Sequence, residues 1–213
     1  MKYIIELTNV CNLDCEMCPR RYADMELGYM SIELWNALFS WIPKGSTILP
    51  FWRGESTLHP GFREMIGGLE EYDVVLATNG TYPEAVIDVI PYLSAINVSI
   101  HNEESYEGYL KIKNHIHNGR PTIIGSMVEG EREFVGDSRI YKRHTVDGIW
   151  GKVEGIEKKD GPLVCSRLNE SVFSWDGKMG RCCYVWDMNL PKAQYPDSVC
   201  LNCDQWMGDG KTL

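Results

Sequence analysis

Between residues 3 and 146, short β-branched runs alternate with amphipathic stretches, and that alternation leaves few architectures open. The strand-like runs are YIIELTNV (3–10), STILPFW (46–52), DVVLATNG (73–80), AINVSIH (95–101), PTIIGSMVEG (121–130) and SRIYKRHTV (138–146). The helical stretches between them are SIELWNALFSWI (31–42), PGFREMIGGLEEY (60–72), YPEAVIDVIPYL (82–93) and EESYEGYLKIKNH (103–115), with a short helix expected over 131–138. Ser31 is placed to cap the first of these, Gly67 and Gly68 weaken the second, and Pro91 should end or kink the third. Repeated strand-then-helix units predict a parallel sheet with helices outside it. Six such units are too few for a closed eightfold barrel. The expected fold is α/β: a partial (β/α)6 TIM-like open barrel over residues 1–152. From residue 153 the alternation gives way to charged turns, glycines and cysteines, which predicts a small cysteine-rich extension over 153–213.

In parallel sheets of this kind, functional groups gather at the C-terminal ends of the strands. The chemistry-bearing residues obey that rule. Cys11 follows the first strand, RGES (53–56) the second, and TNG (78–80) ends the third; Ser99 and His101 end the fourth, and Met127 and Glu129 the fifth.

The net charge of −9 over 213 residues argues against a nucleic-acid backbone or an anionic membrane as partner. The local cluster Lys111, Lys113, His115, His117 and Arg120 reads as a solvated helix end. The opening MKYIIELTNV lacks the long apolar region and cleavage site of a signal peptide, and no apolar run approaches the ~18 residues of a membrane span. These features predict a cytoplasmic protein. In a reducing compartment the eight cysteines are metal ligands or catalytic groups rather than disulfides.

The cysteines form two groups. Cys11, Cys15 and Cys18 stand in CNLDCEMCPR; Cys165, Cys182, Cys183, Cys200 and Cys203 lie in the last quarter of the chain. Three thiolates on one loop can hold three irons of a 4Fe–4S cube and leave the fourth iron open to a small molecule. Zinc is the alternative, but it asks for a fourth ligand. In the tail, Cys200 and Cys203 form one arm, and Cys165 with Cys182 or Cys183 forms a wider one across SWDGKMG, a hairpin with an Asp-Gly turn. By spacing alone, four such thiolates suit a structural zinc as well as an iron–sulfur cluster.

The segment CNLDCEMCP resembles the signature of the radical S-adenosylmethionine enzymes, with Met17 where an aromatic residue is more usual. FWRGESTLHPGF (51–62) is similar to that family's GGEPLLHP segment, with Arg53 and Ser56 as departures. LATNGTY (76–82) and NVSIH (97–101) resemble its third- and fourth-strand endings. The resemblance implies a 4Fe–4S cluster on Cys11, Cys15 and Cys18 whose open iron takes S-adenosylmethionine, with Met17 beside it. It further implies that Gly54 and Glu55 contact the methionine amino group, that Thr78, Asn79 and Ser99 lie near its carboxylate or ribose, and that Glu129 is a ribose candidate. The tail resembles the SPASM/twitch extension in its shorter form. That implies a second, auxiliary 4Fe–4S cluster on Cys165, Cys182, Cys200 and Cys203. The remaining Cys183 is then a small buried residue or a hydrogen-atom donor.

The function so implied is reductive cleavage of S-adenosylmethionine to a 5′-deoxyadenosyl radical that abstracts a substrate hydrogen. The auxiliary cluster favours a net oxidation, a dehydrogenation or peptide cross-link, over a redox-neutral epimerase or lyase. A small molecule, or a peptide delivered by another protein, is the expected substrate, because the first strand begins at Tyr3 with no leader-binding domain before it. A reduced flavodoxin- or ferredoxin-type protein is the expected electron donor. A non-catalytic zinc or iron–sulfur scaffold is the competing class, and a scaffold has no need of an open iron.

Overall fold

The computed structural model describes residues 1–15, 18, 20, 25–128, 140–143, 164–165, 170–180 and 206–207. Met17, Glu129, Cys182, Cys183, Cys200, Cys203 and the helix expected over 131–138 lie outside them.

Four strand–helix units and a fifth strand appear in the expected order. They are β1 (Lys2–Ile5), α1 (Ile32–Phe39), β2 (Thr47–Leu49), α2 (Phe62–Gly67), β3 (Asp73–Thr78), α3 (Pro83–Ile87), β4 (Ala95–Ser99), α4 (Glu103–Asn114) and β5 (Thr122–Val128), followed by β6 (Ile140–Arg143). Later come β7 (Val164–Cys165), β8 (Glu170–Phe173), β9 (Met179–Gly180) and β10 (Trp206–Met207). The elements begin and end where local chemistry requires. Ser31 accepts from the Leu34 N–H to start α1, and Asn102 accepts from the Ser105 N–H to start α4. Pro83 opens α3, and the stretch around Pro91 tightens into a 3-10 turn at Ile90–Tyr92. α2 stops at Gly67 with Gly68 as its cap.

The main sheet has eight strands in the order β6-β5-β4-β3-β2-β1-β8-β9. All but β9 run parallel, and β9 returns antiparallel beside β8. One face buries Ile5, Leu7, Ile48, Leu76, Val98 and Ile123 against Trp35, Leu38, Met65, Ile66, Val86, Tyr109 and Ile112 of the helices. Each such aliphatic side chain contributes about 1.5–3 kcal/mol. The register sets Ala77 beside Asn97 and Ile124, and Ser99 beside Ser126, on the opposite face. That face is open enough to leave Ile124 39% exposed.

The sheet does not end with β6. After the expected hairpin segment is reached, β8 joins the free edge of β1 with Lys2 opposite Glu170 and Ile5 opposite Phe173. The β8–β9 turn carries Gly177 at φ 80°, as the Asp-Gly signal predicts. β7 and β10 make a separate two-stranded ribbon in which Cys165 faces Trp206. Among the described residues no helix is long and apolar enough to cross a membrane.

Candidate active site

The first loop leaves β1 and carries the three thiols. Its two feet are tied together. Thr8 donates its hydroxyl to the Gly28 carbonyl (2.7 Å), Asn9 donates its amide to the Glu26 carbonyl (2.7 Å), and the Gly28 N–H returns a bond to Asn9 Oδ1 (2.9 Å). Between these feet Cys11, Cys15 and Cys18 are half-buried and in no disulfide. The Cys18 N–H reaches the Cys15 carbonyl at 3.0 Å, which closes a tight turn at the second and third thiols. Arg20 donates to the Leu13 carbonyl (3.0 Å), and its Nε, also buried, has no partner among the described residues. Burial pushes the Cys11 thiol up; a backbone bond at Leu13 and the Arg20 charge work against that, and the Glu55 carboxylate adds to it.

The second loop follows β2 and runs against the first. A Cβ built on Gly54 would stand 2.4 Å from the Thr8 carbonyl oxygen and 2.6 Å from that of Val10, so only glycine fits. The next N–H, of Glu55, bonds the Val10 carbonyl at 2.8 Å. The Glu55 carboxylate is 3% exposed. Oε1 accepts from the Thr57 N–H (3.2 Å), the Thr57 hydroxyl (2.7 Å) and the Thr78 hydroxyl (2.9 Å), and Oε2 accepts from the Asn79 N–H (2.7 Å). Every one of these donors is neutral. Burial raises the Glu55 pKa, against the pull of those four bonds.

Asn79 lies at the end of β3, where the chain turns at Gly80 (φ 77°). Gly80 is pressed by α4: a Cβ on Gly108 would sit 1.8 Å from the Gly80 carbonyl oxygen. The Asn79 side chain joins a closed ring. Its Oδ1 accepts from the Thr81 N–H (3.0 Å) and hydroxyl (2.7 Å), Asn12 donates to the Thr81 oxygen (2.9 Å), and Asn79 Nδ2 donates to Asn12 Oδ1 (2.9 Å). The same Nδ2 stands 3.8 Å from Cys11 Sγ.

Arg53, which replaces a glycine of the resembled motif, turns inward. Its Nε and Nη2 grip both oxygens of Glu6 at 2.8 and 2.6 Å, and its own N–H adds a third bond at 3.1 Å. Glu6 is 0% and Arg53 6% exposed. The guanidinium lies 4.2 Å from the centre of the Trp52 ring. Glu6 also accepts from the Trp175 N–H (3.2 Å), and the Trp175 ring covers Gly28. The β8–β9 hairpin is thereby fastened to the end of β1 and to the foot of the cysteine loop. His59 is used structurally: Nδ1 accepts from the Gly61 N–H (2.9 Å), so Nε2 carries the proton and donates to the Met30 carbonyl (2.8 Å), and burial lowers its pKa.

Of the residues singled out in the sequence, the structure joins Cys11, Gly54, Glu55, Thr78 and Asn79 by direct contact. Ser99 stands one strand further along the same rim, and the backbone of Cys165 is in the β7–β10 ribbon. Sequence reasoning missed Glu6, Asn12, Thr57 and Arg20, and noted Arg53 only as a departure from the resembled motif. The signal for Glu6 was present: one carboxylate inside the apolar run YIIELT needs a buried partner. Among the described residues no three His, Cys, Asp or Glu side chains converge on a point that would hold a single metal ion.

No protein-family model matches the chain. Over 87 residues it is 32% identical to the tungsten-containing aldehyde ferredoxin oxidoreductase cofactor-modifying protein of Pyrococcus furiosus, a match covering 38% of this chain and 24% of that one. The chain thus spans about a quarter of that relative's length. Among known structures it is similar to BtrN in complex with AdoMet and 2-DOIA (TM-score 0.69, 14% identity, 90% of this chain and 76% of BtrN). It is also similar to Streptococcus suis SuiB bound to the precursor peptide SuiA (TM-score 0.61, 10% identity, 96% of this chain and 64% of SuiB). The chain therefore has the open partial-barrel fold of the radical S-adenosylmethionine enzymes, the family its cysteine loop and strand endings resemble.

Proposed function

We propose that the chain is a radical S-adenosylmethionine enzyme, and the observation that carries this reading is the Glu55 carboxylate. It is buried beside the three-thiol loop and held on both oxygens by neutral donors, with no cation bonded to it among the described residues. A carboxylate kept in that condition is suited to the ammonium of a ligand arriving at the rim. The donor set fits the cofactor as well. Cys11, Cys15 and Cys18 stand on one loop and are in no disulfide, and three thiolates from one loop suit three irons of a cube, whereas a structural zinc asks for a fourth ligand. When bound, the cluster and S-adenosylmethionine supply electron transfer and radical generation. The chain's own residues hold and orient them: three thiolates ligate, Glu55 takes the amino group, and Gly54 permits the close approach of the two loops. Ser99 and, by the resemblance, Glu129 and Met17 complete the cofactor side, and Thr78 fixes Glu55 in place.

The tail reading extends this. Cys165, Cys182, Cys200 and Cys203 would hold an auxiliary cluster in the region 153–213, and the pairing of Cys165 with Trp206, just after Cys203 in sequence, supports a common site. A second cluster gives a substrate-derived electron somewhere to go. That favours net oxidation of a small molecule or a peptide, with Cys183 beside the cluster and a reduced flavodoxin- or ferredoxin-type protein as donor. BtrN with its small ligand and SuiB with its precursor peptide mark the two substrate classes.

The test is anaerobic reconstitution, followed by iron and sulfide counts and an assay for 5′-deoxyadenosine after dithionite and S-adenosylmethionine are added. About eight irons and formation of 5′-deoxyadenosine are expected. Changing Cys11, Cys15 and Cys18 together to Ala should leave about four irons and no cleavage. Zinc in place of iron, or iron with no cleavage, would replace the enzyme with a scaffold.

A further inference from the structure

The ring that joins Asn12, Asn79 and Thr81 settles which way the Asn79 amide faces. The Thr81 backbone N–H, 3.0 Å away, can only donate, so the Asn79 atom facing it is the oxygen. Its NH2 group therefore faces Asn12 Oδ1 and Cys11 Sγ, and it has two hydrogens for those two acceptors. The backbone N–H of the same residue is spent on Glu55, so Asn79 links the carboxylate to the first thiol of the loop. We infer that Asn79 donates an N–H···S hydrogen bond to the Cys11 sulfur and thereby raises the reduction potential of the cluster bound there. This rests on the reading that Cys11, Cys15 and Cys18 hold a 4Fe–4S cluster. Reduction adds negative charge that spreads onto the ligand sulfurs. A donor aimed at one of them stabilises the reduced form more than the oxidised form, and hydrogen bonds to sulfur are among the levers that set these potentials. Asn79 is on this account a positioning and tuning residue: it holds the cysteine loop against β3 and biases the electron's arrival.

The experiment is an EPR-monitored redox titration of the reconstituted protein, following the signal that changes when S-adenosylmethionine is added. That signal isolates the cluster in question from any other. Asn79→Ala should lower the midpoint so that about tenfold less cluster is reduced at a fixed potential, about 59 mV for a one-electron couple. Asn79→Asp keeps the acceptor for Thr81 but puts a negative oxygen at Cys11, so its midpoint should fall below that of Asn79→Ala. A merely structural role would cost cluster content without producing that order. Should either variant fail to hold iron, the unaltered protein decides: with asparagine labelled with 15N in the side chain, pulsed EPR of the reduced cluster should show a 15N coupling. Unchanged midpoints in loaded variants, or no 15N coupling in the unaltered protein, would overturn the inference. No S-adenosylmethionine-sensitive signal at all would remove the cluster reading itself, and with it this role for Asn79.

Discussion

Glu6 and Glu55 are both buried carboxylates at the ends of neighbouring strands, and they are treated in opposite ways. Glu6 is locked to Arg53 through three bonds and has its charge matched inside the protein. Glu55, two positions after Arg53, takes four bonds from neutral groups. The nearest arginine in sequence has been turned away from it. One carboxylate is finished by folding and serves architecture, fastening the β8–β9 hairpin to β1. The other is satisfied in its hydrogen bonds by neutral groups, with no cation bonded to it among the described residues, which is how a site can hold an anion ready for a cation it does not own.

The contrast can be broken first at Arg53. Arg53→Met leaves Glu6 buried without its cation, and chemical denaturation should show a loss of about 3–5 kcal/mol. Adding Glu6→Leu should recover most of that loss, since a matched apolar pair removes the stranded charge. Gly54→Ala comes next. It drives a Cβ into backbone carbonyls of the first loop, and a loss of about 1–3 kcal/mol is expected together with weaker iron retention on reconstitution. The gentlest probe is pH. Glu55 binds a cation only when ionised, and its pKa is raised by burial. Affinity for S-adenosylmethionine, measured by equilibrium dialysis, should therefore fall with decreasing pH at less acidic values than an ordinary glutamate would give. Folding runs the other way at this residue. A raised pKa means the folded state holds the proton more tightly, so its contribution to stability is present at low pH and lost as pH rises through the folded value.

How much of this could be read from the sequence depends on how far apart the partners lie. Local signals carried through: Ser31 caps α1, Gly67 and Gly68 stand where α2 stops, and the Asp-Gly pair before Lys178 makes its turn. The third and fourth strands end close to where they were expected, whereas β1 and β2 stop early at Ile5 and Leu49; the order of the strands still puts successive C-terminal ends on one rim. The lost features are pairings across long stretches of chain. Nothing local in ESVF says that it will dock beside β1, whose partner residues stand at the other end of the sequence. Arg53 could be noticed as a departure from the resembled motif and Glu6 as a carboxylate inside an apolar run, but their pairing could not, because a buried ion pair is chosen by geometry. Asn79 was singled out for a ligand, yet its contact with Cys11 depends on a ring with Asn12 and Thr81 that only the folded turn assembles.

The most direct test of Glu55's reserved charge is a comparison of two ligands on two proteins. Reconstituted unaltered protein and its Glu55→Gln variant would each be titrated with S-adenosylmethionine and with its analogue lacking the amino group. Gln keeps the shape and removes the charge. Glu55→Gln should weaken S-adenosylmethionine by about 10–100-fold, the worth of a hydrogen bond to a charged group, and leave the analogue almost unaffected. Equal losses for both ligands would mean that Glu55 only supports the loops, and the contrast with Glu6 would then be one of packing alone.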